Sequence, residues 1–77
     1  MDKKQTQVIE RLTYLRGMLV KYSHRWGENP SQRMYDWVNE YNDIKADNRP
    51  MWDLYCKMSL LSPQHDAYDT IAWHNFH

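Results

Sequence analysis

Cysteine occurs once in these 77 residues, phenylalanine once, glycine twice and proline three times. The lone thiol, Cys56, excludes an intrachain disulfide and a cysteine-based zinc site. With only two glycines, Gly17 and Gly27, there is no glycine-rich phosphate loop, and neither an HExxH helix nor a nucleophile elbow occurs. No span approaches the roughly 18 apolar residues of a membrane-crossing helix. The opening MDKKQTQVIERL has no apolar run of the kind a secretory signal carries. The expectation is a cytoplasmic, non-enzymatic protein without a cofactor.

What is present is bulk. Four tryptophans and six tyrosines supply large apolar area per ordered residue, roughly 150–250 Å² each. A chain this short buries only about 60% of the surface its unfolded form exposes, so it needs that area. Formal net charge is zero, but residues 1–33 hold seven cations against three anions and residues 34–77 three against seven. Opposite halves of this kind can pack side by side, drive head-to-tail association, or present one sign to a partner.

Punctuation divides the chain. The segments NPSQ (29–32), NRPM (48–51) and SPQH (62–65) each set a proline behind a capping residue, where its missing N–H has no helical partner to lose. Gly27 suits a left-handed cap closing the helix before the first of them. The reading is a single all-α domain over 1–77, a small three- to four-helix bundle with a long N-terminal helix. Its helices are expected near 4–26, 30–46, 50–61 and 63–75.

In the first helix Val8, Leu12, Leu15, Leu19, Tyr22 and Trp26 recur at spacings of 4, 3, 4, 3 and 4 and lie within about 40° of one line. This marks the spine of the bundle, or the seam of a homodimer. Met34, Trp37, Val38, Tyr41 and Ile44 form the apolar line of the second helix; Met51, Leu54, Tyr55, Met58 and Leu61 that of the third. The fourth offers Ala67, Tyr68 and Ile71 on one face, with Ala72, Trp73 and Phe76 spread around another.

Removing that core leaves Tyr14, Tyr35, Trp52 and Trp73 on the flanks. Two charged lanes accompany them: Gln7, Arg11, Tyr14, Met18, Lys21 and Arg25 on the first helix, and Asp36, Glu40, Asp43 and Asp47 on the second. An acidic row repels itself by a few tenths of a kcal/mol per pair, so it calls for a basic partner. Binding hot spots favour Trp, Tyr and Arg. The expected partner-binding residues are therefore Tyr14, Tyr35, Trp52 and Trp73, with Arg11, Arg25, Asp36, Glu40 and Asp43 setting electrostatic register.

His65, Asp66 and Asp69 could place a His and a carboxylate one helical turn apart, and His74 and His77 lie near the end. Acidic residues are favoured at a helix start by the dipole alone, so no metal is expected there. Cys56 reads as a buried, inert thiol. The functional expectation is a small regulator or inhibitor that docks onto a larger protein, of the kind phages and other mobile elements carry. The alternative is nucleic-acid binding through Arg11, Arg16, Lys21 and Arg25, against which zero net charge and the acidic row both weigh.

Overall fold

The computed structural model describes residues 2–76, the last by its backbone alone. Four α-helices form among the described residues, with no strand: α1 Lys3–Lys21, α2 Gln32–Asp47, α3 Arg49–Met58 and α4 Ala67–Phe76. A 3₁₀ turn, Ser23–Arg25, follows α1. The all-α bundle expected from the sequence is the fold.

Helix α1 opens on a capping box. The Asp2 carboxylate accepts from the Gln5 N–H at 2.8 Å while the Gln5 side-chain oxygen accepts from the Asp2 N–H at 3.1 Å, satisfying two free donors reciprocally. The helix is shorter than the 4–26 span predicted. It stops at Lys21, and Tyr22 leaves the helical region with φ −106° and ψ 13°. Ser23 and Arg25 then tighten into the 3₁₀ turn, which carries Arg25 and Trp26 off the α1 axis. Gly27 is no left-handed cap, because neither glycine has a positive φ.

Among the described residues the one positive φ belongs to Leu60, at 57°. The Leu61 N–H reaches the Cys56 carbonyl at 2.8 Å and the Leu60 N–H reaches that of Lys57 at 3.4 Å. These are the paired bonds of a Schellman cap, so α3 ends at Met58 rather than near 61. Pro63 starts no helix either. The segment 59–66 crosses the bundle as a loop, and α4 begins four residues later than predicted, capped by Asp66. The Asp69 N–H donates to the Asp66 carboxylate, and the Asp66 N–H to that of Asp69, both at 3.1 Å.

The core is Leu12, Leu15 and Leu19 from α1, Val38 and Tyr41 from α2, Trp52, Tyr55 and Cys56 from α3, and Ala67 and Ile71 from α4. Helix α1, the expected spine, packs against all three others, and so does α2. Helix α3 lies rotated from its predicted face: Trp52 and Cys56 are buried, while Leu54 is half-buried and Met58 is 56% exposed. Trp52, expected on a flank, is fully buried. Its indole N–H donates to the Pro63 carbonyl at 3.0 Å, a partner that only the crossing loop provides.

Candidate functional site

Two places in the fold gather chemistry-bearing side chains, one inside and one outside. Inside, the Tyr41 hydroxyl lies 2.8 Å from that of Tyr55 and 2.9 Å from Nε2 of His65, whose Nδ1 lies 2.6 Å from the Ser62 carbonyl. The carbonyl can only accept, so Nδ1 carries the proton and Nε2 accepts from Tyr41; Tyr41 in turn accepts from Tyr55. The chain of donors therefore runs one way, Tyr55 to Tyr41 to His65 to Ser62. His65 is also stacked between two indoles, 5.0 Å from the Trp52 ring and 5.6 Å from Trp73.

Burial dominates the electrostatics of this cluster. It lowers the His65 pKa, and it raises those of Tyr41 and Tyr55. It also pushes the Cys56 thiol up to about 11, which leaves the sulfur protonated and unreactive at neutral pH. All four side chains are at most 2% exposed, and the α1–α2 cavities described below are lined by none of them. The network fastens the 59–66 loop to α2, an attachment completed by Lys45 Nζ on the Gln64 carbonyl at 2.8 Å and the Ala67 N–H on the Asn42 side chain at 2.9 Å. Asp66 and Asp69 are occupied as helix caps, and among the described residues no three His, Cys, Asp or Glu side chains converge as metal ligands. His77 lies outside the described residues.

Outside, α1 and α2 run antiparallel and leave two separate cavities that α3 and α4 do not line. At one end a cavity of about 400 Å³ has Val8 and Ile44 as its apolar floor, Lys4 and Arg11 on the α1 wall, and Asp43 and Asp47 on the α2 wall. Arg11 crosses between the helices to grip Glu40 through both carboxylate oxygens, at 2.5 and 2.7 Å. That hydrogen bond raises the arginine pKa and lowers that of the carboxyl. The pair is exposed and contributes at most about 1 kcal/mol; its effect is to fix the register of α1 against α2. At the other end a second cavity of about 410 Å³ is lined by Tyr22, Trp37, Arg25 and Arg33, with the Tyr22 and Trp37 rings 5.4 Å apart. Tyr14, three residues along α1 from Arg11, is 47% exposed, with the Arg11 guanidinium 5.1 Å from its ring centre.

Of the expected residues, Arg11, Glu40 and Asp43 line the first cavity and Arg25 the second; Tyr14 lies against Arg11, and Asp36 accepts from the Gln32 side chain at 3.0 Å. The other expected residues are separated from these. Tyr35 is 42% exposed on the opposite flank of α2, against Trp26, whose ring also meets Tyr68 of α4. Trp73 is 39% exposed and covers His65. Trp52 is core and contributes nothing to the surface. Sequence spacing did not mark Lys4, Val8 and Ile44 as a site, because the cavity exists only once the antiparallel register sets Val8 opposite Ile44.

No protein-family model matches this chain, and neither does any curated protein or solved structure.

Proposed function

We propose that the chain is a small non-enzymatic cytoplasmic protein, a regulator or inhibitor, that docks its α1–α2 face onto a larger partner protein. The observation that carries the reading is the face itself. Lys4 and Arg11 face Asp43 and Asp47 across a cavity floored by Val8 and Ile44, and the exposed Tyr14 lies under the guanidinium of Arg11. Asp43 and Asp47 have no cation paired to them among the described residues, where the ion pairs are Arg11–Glu40 and Arg49–Asp53. Unpaired charge around an apolar centre is what an interface rim provides, setting register and on-rate. Nucleic acid is a weaker occupant, since the acidic row runs beside the basic lane and Arg11 is engaged by Glu40.

The test is affinity capture from lysate of the source cells with the full chain immobilised. The parent chain should retain a stoichiometric protein partner. Tyr14→Ala and Asp43→Lys should lose it, while Leu60→Ser, away from this face, should keep it. Retention of no protein, or equal retention by every variant, overturns the reading.

A further inference from the structure

The cavity of Tyr22 and Trp37 shares no lining residue with that of Val8 and Ile44, and docking there makes no use of it. Arg25 and Arg33 both line it, no carboxylate does, and neither arginine is ion-paired among the described residues. Asp36, three residues beyond Arg33, instead accepts from the Gln32 side chain. Ser31 makes no side-chain cap bond, so the N–H groups of Gln32 and Arg33 at the start of α2 stay free beside the guanidiniums. The rest of the wall is apolar. Met34 is buried, Trp37 is half-buried with part of its indole accessible, and the Arg25 guanidinium lies 5.7 Å from the Tyr22 ring centre.

From this lining we infer that the cavity binds a nucleoside monophosphate, its phosphate on Arg25 and Arg33 and its base against Trp37. Two guanidiniums and two free N–H groups offer more donors than one carboxylate can take up, whereas a phosphate ester brings three terminal oxygens and close to two charges. Inorganic phosphate would leave the Met34 and Trp37 wall uncovered; a base covers it by stacking, which any base does through its π face. Arg33 and Trp37 stand four residues apart on α2, about 6 Å along the axis. The ribose supplies that spacing between base and phosphate, while an aryl phosphate such as phosphotyrosine has the two joined directly. A volume of about 410 Å³ lies at the low end of the roughly 300–1,000 Å³ of small-molecule sites and suits a single nucleotide. A strand running on along the helix pair would meet Asp36, Glu40 and Asp43 of α2.

The experiment titrates the full chain, by calorimetry, with adenosine monophosphate, adenosine, inorganic phosphate, phosphotyrosine and a single strand of about twelve deoxyadenylates. The monophosphate should bind about tenfold or more tightly than either adenosine or inorganic phosphate, the usual worth of a charge-assisted contact or of one base stack. Arg33→Glu, at an exposed position, should cost the monophosphate at least about tenfold with an unchanged circular-dichroism spectrum. Trp37→Leu should bring the monophosphate down to the level of inorganic phosphate and leave phosphate itself unaffected. No binding by the monophosphate, or parental binding by Arg33→Glu, overturns the inference. So does inorganic phosphate binding as tightly as the monophosphate, since the site then takes an anion only. Tighter binding of phosphotyrosine or of the strand overturns it in favour of a phosphopeptide or a nucleic acid.

Discussion

Nε2 of His65 accepts the hydroxyl proton of Tyr41 across 2.9 Å at the centre of the bundle, and this bond requires a neutral imidazole. Burial lowers the folded pKa of His65 from its ordinary 6.5, with Lys45 and Arg16 acting in the same direction and the Ser62 hydrogen bond and Asp69 opposing. The unfolded chain therefore takes up a proton at a higher pH than the folded one. Stability is fully present above about pH 6.5 and declines as the pH falls from there toward the folded value. Urea unfolding at pH 7.5 and at pH 5.5 should give the lower midpoint at pH 5.5. His65→Asn should flatten the difference, and a parent chain equally stable at both values would remove His65 as the cause.

Trp52 belongs to stability and not to binding. It is fully buried, its ring meets Tyr41 at 4.9 Å and Tyr55 at 5.7 Å, and its N–H fastens the 59–66 loop. Trp52→Ala should cost about 3–5 kcal/mol. A domain of this length has roughly 4–12 kcal/mol in all, so the variant should melt far lower or fail to fold. Trp52→Phe keeps most of the packing, gives up the bond to Pro63, and should cost about 1–3 kcal/mol. Thermal melts of both variants check the order, and a Trp52→Ala chain with parental Tm would mean the indole is not core.

Why this tryptophan was misplaced shows where sequence reasoning stops. Helix boundaries near Pro30 and Asn48–Pro50 were legible because proline acts within one turn of itself; the expected capping did not contribute, since neither Ser31 nor Asn48 makes a side-chain cap bond. The α1 seam was legible too, since Leu12, Leu15 and Leu19 repeat at helical spacing. Trp52 was not, because its burial depends on a carbonyl eleven residues away in a loop whose path follows from His65 turning inward. A histidine between Gln64 and Asp66 looks like a surface residue; only the tyrosine pair beneath it makes it core. The acidic row of α2 was readable from spacing alone, whereas the cavity beside it required the Arg11–Glu40 register.

Leu60 sits in the left-handed region with 94% of its surface exposed. An L-residue other than Gly, Asn or Asp there costs about 1–2 kcal/mol, and so exposed a side chain returns little by packing. Leu60→Gly should therefore raise stability, by about 0.5–1 kcal/mol once the greater freedom of glycine in the unfolded chain is set against the relieved strain. In a domain of this size that is a Tm increase of roughly 2–8 °C. An unchanged or lower Tm would mean that Leu60 makes a contact offsetting its backbone.

Tyr14 and Tyr35 are exposed to similar extents, 47% and 42%, yet their surroundings predict opposite results. The Tyr35 ring lies 5.0 Å from that of Trp26, so Tyr35→Ala uncovers an indole and removes an aromatic pair, costing about 0.5–1.5 kcal/mol beyond the lost area. Among the described residues Tyr14 rests on no ring; its neighbour is the Arg11 guanidinium, itself half in solvent. Tyr14→Ala should leave the fold within about 0.5 kcal/mol of the parent. Its effect should appear in partner binding, where loss of an anchor costs 2 kcal/mol or more, roughly a thirtyfold drop in affinity. Melting curves and binding isotherms on both variants separate the two roles. If Tyr14→Ala lowers Tm while Tyr35→Ala weakens binding, the docking face lies on the Trp26–Tyr35–Tyr68 side of the bundle instead.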